Sequence, residues 1–157
     1  MAQLAVFDAM GHGLTAAVTA TVAVSAYRNC RRGRLDLAGT YAGTNEARVA
    51  AFGGERFVTA VLTWLDVSTG TFRWLDAGHP PPLLLRRRMV KALETAPDLP
   101  LGLPFDVDPA QVGRENLEPG DRVLLYTDGL TEARGPDGAF PDGRRGRRAL
   151  SAAAWCR

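Results

Sequence analysis

The spacing of apolar and polar positions changes along this chain. Gln3 to Phe7 is a short, mostly apolar run that ends at Asp8 and predicts a strand. An Ala- and Val-rich stretch from Leu14 to Arg31 is apolar on nearly every side and stops near Gly33. That pattern predicts a helix packed inside the protein rather than lying on its surface. Leu37, Tyr41 and Val49 mark a second helix over Leu37 to Phe52, which Gly39 and Gly43 weaken. From Arg56 the period drops to two. Phe57 to Leu65 predicts a strand, Asp66 to Gly70 a turn, and Thr71 to Leu75 the hairpin partner. Leu83 to Leu85 and Met89 to Leu93 predict two more strands. Pro97 to Gly120 holds five of the ten prolines and is expected to be a long ordered loop. Glu118-Pro119-Gly120-Asp121 predicts a turn that delivers a last strand, Arg122 to Tyr126.

Two helices followed by hairpin-connected strands argue for α+β with antiparallel sheet. A parallel doubly wound fold would alternate strand and helix. The 157 residues suit one domain with a real core. A net charge of +2 is too small to argue for nucleic acid, although the basic residues are all arginine except Lys91. Cys30 and Cys156 make no disulfide framework, so a reducing cytoplasm is the default. The apolar stretch from Leu14 to Tyr27 is broken by Thr15, Thr19, Thr21 and Ser25. It is too short and too polar to span a membrane, and no basic segment after Met1 marks a signal peptide.

Candidate chemistry sits in two short segments, Asp8-Ala9-Met10-Gly11-His12-Gly13 and Thr127-Asp128-Gly129-Leu130. Each places an aspartate just after a strand, followed by glycine. A strand end fixes the carboxylate oxygen, and glycine lets a hard cation or a phosphate approach the main chain. Each aspartate also has a plainer reading: Asp8 as the N-cap of the following helix, Asp128 as a turn residue before Gly129. His12 suits proton donation to a leaving alkoxide, and equally suits shaping its loop. His79, between Gly78 and three prolines, is expected to organise a loop beside the site. Arg86-Arg87-Arg88 could meet a phosphorylated protein, or form a solvated edge that prevents sheet pairing.

Four strings, DAMGHGLTAA, DAGHPPPLLL, PLGL and LEPGDRVLLYTDGLTEAR, occur in this order between Ala5 and Ala133. They resemble the bacterial stress-response and sporulation (SpoIIE-like) branch of the PPM-type, metal-dependent serine/threonine phosphatases. The resemblance implies an αββα sandwich, two antiparallel sheets flanked by helices, here incomplete. It also implies two Mn²⁺ or Mg²⁺ ions, with Asp8 bridging them, the Ala9 carbonyl as a further ligand and Asp128 as a carboxylate ligand at the end of the central strand pair. Asp8 and Asp128 would then lie at adjacent strand ends, with carboxylates within about 8 Å. The implied substrate is a phosphorylated protein of the anti-sigma-factor antagonist type, with neither nucleic acid nor membrane as partner. Two cations about 3.5–4 Å apart can hold and acidify a water for in-line attack on phosphorus, so no side-chain nucleophile is required. Hard oxygen ligands favour Mg²⁺ or Mn²⁺ over zinc, consistent with only two histidines, His12 and His79.

Two parts of the family pattern have no counterpart here. No Gly-Gly-Asp-aromatic segment precedes Asp8, and no Asp-Asn or Asp-Asp strand follows Ala133. The expected organisation is therefore a partial phosphatase domain over 1–134 and a tail over 135–157. That tail carries Arg144, Arg145, Arg147 and Arg148 and is expected to be disordered apart from a helical turn around Ala149 to Trp155. Two ions held by two aspartates would keep excess positive charge, so the alternative is an inactive pseudophosphatase that acts only by binding.

Overall fold

The structure, a computed structural model, describes residues 1–105 and 110–131. The elements run β1 (Ala2–Ala9), α1 (Gly13–Arg32), α2 (Leu37–Phe52), β2 (Val58–Asp66), β3 (Thr71–Ala77), β4 (Leu83–Arg86), β5 (Met89–Ala92), β6 (Gly113–Asn116), β7 (Arg122–Leu124) and α3 (Asp128–Thr131). One sheet has the order β1-β2-β3-β6 and the other β5-β4-β7, all antiparallel. The expected tail and the boundary at 134/135 lie outside the described residues.

Strand parity sorts the core into two layers. Val58, Ala60 and Leu62 of β2 join Leu75 and Ala77 of β3, and this face packs against Ala23 and Tyr27 of α1 and Leu37 and Tyr41 of α2. The intervening Val61, with Phe72 and Trp74, faces the second sheet through Leu84 and Leu93. Among the described residues the layers are therefore helix, sheet, sheet, which is the α+β arrangement expected from the pattern.

Three expectations need correction. Residues 97–120 are not all loop, because β6 closes the first sheet by pairing with β3. Gly-Arg-Glu-Asn carries no apolar alternation, so only its backbone pairing reveals it as a strand. Secondly, α1 is not buried all round. Only Thr19, Ala23, Ala26 and Tyr27 are buried, while Leu14 is 81% exposed. The helix lies on one face of a sheet beside α2, so its opposite side has nothing to cover it among the described residues. Thirdly, Arg86 belongs to neither reading of the arginine triplet. Its Nε lies 3.1 and 3.0 Å from the two Asp121 carboxylate oxygens, and its Nη2 donates to Asp121 and to the Asn116 carbonyl. It ties β4 to the turn before β7, and this pairing holds the Asp121 carboxyl below its usual range.

Gly113 stands where β6 crosses the buried ring of Trp74. A Cβ there would collide with the Trp74 indole and lie 2.8 Å from the Thr95 methyl. Gly113→Ala should overpack this contact and cost about 1–3 kcal/mol, measured as a lower midpoint in urea. An unchanged midpoint would show that Trp74 has room to move.

Candidate functional site

The four sequence strings meet at one end of the first sheet. Asp8 pairs in register with Thr59, and Ala9 with Val58. Asp8 shares the face of Val6, which packs toward the second sheet, whereas Phe7 and Ala9 pack toward the helices. Thr59 and Asp76 share that inner face, because Val61 pairs with Asp76 across β2 and β3. The turn after Asp8 needs backbone that side chains disfavour: Gly11 and Gly13 have φ of 87° and 79°.

His79 connects the two sheets here and is only 4% exposed. Its Nε2 lies 2.8 Å from the Tyr126 carbonyl oxygen and its Nδ1 lies 3.0 Å from Thr59 Oγ1. A carbonyl can only accept, so Nε2 carries a proton, and in the neutral ring Nδ1 accepts from the Thr59 hydroxyl. The imidazole thus joins the residue opposite Asp8 to the residue two positions before Asp128. The His79 backbone N–H donates to Asp76 Oδ1 at 2.7 Å. Gly78 before it has φ of 68°, and a Cβ there would lie 2.8 Å from Pro100 of the PLGL string. That string is itself held in place. Leu101 exchanges backbone hydrogen bonds with Val58, Tyr41 donates its hydroxyl to the Leu99 carbonyl, and the Gly102 N–H donates to Asn45.

Burial pushes the Asp76 carboxyl above its usual range, partly opposed by the His79 N–H. Asp98 is raised by burial as well, with the Asp76 charge adding to it. Nearby Tyr41 is pushed up to about 12, first by burial and then by Asp98. Thr59, Asp76 and Asp98 escaped sequence reasoning because each sits in an ordinary strand or loop context, and only the folded register brings them together.

Two expected placements differ. The N-cap of α1 is His12, not Asp8; His12 is extended and exposed, and its side chain makes no capping bond. Asp8 is still inside β1, which leaves the plainer N-cap reading without support. Asp128 is not on a strand, since β7 ends at Leu124 and Asp128 opens the short helix α3. Nor are β1 and β7 paired, because they belong to different sheets. Asp8 and the strand that precedes Asp128 therefore belong to opposite sheets of the sandwich and share no ladder.

Asp8, the Ala9 carbonyl and Asp128 offer hard oxygen of the type that Mg²⁺ or Mn²⁺ prefers. The number falls short: among the described residues no three His, Cys, Asp or Glu side chains group closely enough to hold an ion. The donors fit the metal in kind and not in count.

The family profile for stage II sporulation protein E (SpoIIE) matches residues 2–156. The structure of the RsbU and RsbW domains of Rv1364c from Mycobacterium tuberculosis superposes with a TM-score of 0.82 at 27% identity, over 97% of this chain and 41% of that one. The SiaA PP2C domain of Pseudomonas aeruginosa gives 0.80 at 24% identity, over 95% and 60%. The catalytic domain of the serine/threonine phosphatase PstP, solved with two manganese ions, gives 0.64 at 17% identity, over 97% and 80%. The chain spans less than two thirds of the first two structures. With its helix-sheet-sheet layering and its four strings gathered at one sheet end, this chain belongs to the SpoIIE family of PPM-type phosphatase domains.

Proposed function

We propose that this chain is the part of a phosphoprotein phosphatase domain that contributes Asp8, the Ala9 carbonyl and Asp128 to a divalent-metal site. The reaction is hydrolysis of a phosphoserine or phosphothreonine monoester, and the substrate is a phosphorylated anti-sigma-factor antagonist. Two Mn²⁺ or Mg²⁺ ions, if held by these oxygens together with further carboxylates, would supply an acidified water for attack on phosphorus. The chain's own residues position the site. The observation that carries this reading is the His79 bridge, which draws Thr59, opposite Asp8, and Tyr126, just before Asp128, to one imidazole. His12, exposed at the start of α1, is the candidate proton donor to the departing alkoxide.

A second reading is favoured by the shortage of ligating side chains among the described residues. In it, residues 1–157 bind a phosphorylated partner but do not turn it over. The two readings separate in one assay. Mn²⁺-dependent hydrolysis of p-nitrophenyl phosphate by residues 1–157 should be weak or absent. It should appear when strands bearing the further carboxylates of the family pattern are fused to both ends. Robust turnover by residues 1–157 alone would show that the described donors suffice. No turnover in the fused protein would leave the binding reading.

A further inference from the structure

Most charged strand residues of the fold are already paired. Lys91 reaches Glu115 at 2.7 Å, and Arg86 is held by Asp121 and Glu118. Arg73 and Arg114 are the contrast. They are directly opposite each other across β3 and β6, both are exposed, and neither side chain has an ion pair or a hydrogen bond among the described residues. Like charges facing each other across a ladder repel, so this placement is unfavourable without an anion.

The register extends the pair into a row. Trp64 is the β2 partner of Arg73, so Trp64, Arg73 and Arg114 stand side by side on one face of three strands. Trp64 packs at the rim of the helix-side core, which places the row on that face beyond the start of α2. Grooves of about 270 Å³ and about 300 Å³ flank it, and all three residues line both. Two carboxylates border the grooves, and both are engaged by their own turns. Asp36 accepts from the Gly39 N–H, and Asp66 accepts from the Ser68 N–H and hydroxyl.

We propose that this row is a docking surface for an acidic segment of a protein partner. The two guanidinium forks would take carboxylates or a phosphoryl group, and the Trp64 indole an adjoining apolar side chain. The surface is separate from the Asp8 end. Trp64 and Thr59 are five residues apart on β2, roughly 17 Å at about 3.3 Å per residue. The docking proposal therefore stands or falls independently of the catalytic reading. A protein fits better than nucleic acid, because two arginines neutralise too few phosphates for a duplex or single-strand track. The sequence had pointed to Arg86-Arg87-Arg88 for this kind of contact, but Arg86 is consumed by its own ion pairs.

The test is fluorescence anisotropy of the whole chain with a short labelled polyglutamate peptide that carries one central leucine. Binding below about 1 mM is expected. Arg73→Glu/Arg114→Glu should weaken it at least about tenfold. The charge-matched Arg87→Glu/Arg88→Glu, on the β4–β5 turn of the other sheet, should change it less than about twofold. Arg73→Gln/Arg114→Gln, with circular dichroism of each variant, separates lost contact from lost fold and should also weaken binding. Equal losses in both charge-reversed doubles would reduce the effect to net charge and overturn the proposal. So would no binding by the parent chain. Tighter binding of a labelled oligothymidylate than of the peptide would assign the surface to nucleic acid instead.

Discussion

Replacing Asp8 by Asn should lower Mn²⁺-dependent kcat at least about a hundredfold in any version of the domain that turns over a phosphoester. The substitution keeps the side-chain shape and removes the charge that two cations would share. Asp8 sits within β1 and is anchored by its pairing with Thr59, so a neutral isostere should not unfold the strand. The expected readings are an unchanged melting temperature and a large loss of turnover, together with weaker Mn²⁺ binding by calorimetry. Asp128→Asn should act in the same direction. Full activity in the Asp8→Asn protein would overturn the metal-site reading itself, because no other described residue replaces that carboxylate in the family pattern.

His79→Ala should have the largest effect on stability among single changes near the site. The ring is buried and makes hydrogen bonds to Thr59 and to the Tyr126 carbonyl. Its loss removes a partner of the half-buried Thr59 hydroxyl and of the Tyr126 carbonyl and opens a cavity between the sheets. The expected cost is about 2–4 kcal/mol, a fall of roughly 5–15 °C in Tm for a chain of this size. Amide exchange offers a local check. Protection should fall first over Arg122 to Leu124, because the ring is one tie between the end of that segment and the first sheet. An unchanged Tm would show that the bridge contributes nothing to stability.

Much of the fold was legible from periodicity. The second helix was expected over Leu37 to Phe52, where α2 is found. The β2–β3 hairpin follows from period two and the Asp66 to Gly70 turn, where the Gly70 N–H donates to the Asp66 carbonyl. These elements report themselves because their apolar positions repeat at the period of the structure they form. One element that stayed hidden, β6, is polar throughout. Its strand character comes from the backbone of β3 and from the closeness of Gly113 to Trp74, neither of which a local window contains.

The site divides in the same way. The order of four strings on one chain pointed to the family, and it singled out Asp8 and Asp128 as candidates. A strand-end carboxylate followed by glycine is a local pattern, and it occurs in two of four strings whose order rarely arises by chance. What each string does was decided only in three dimensions. PLGL braces Gly78 and the start of β2, and His79 joins two sheets; His12, not Asp8, begins α1. Thr59 and Asp76 became part of the site through cross-strand register. Arg73 and Arg114 came to face each other in the same way, from positions far apart in the chain. Local chemistry depends on residue type and spacing, which the sequence by itself determines. Contact between residues far apart depends on how strands pair and sheets stack, and only the tertiary structure decides that.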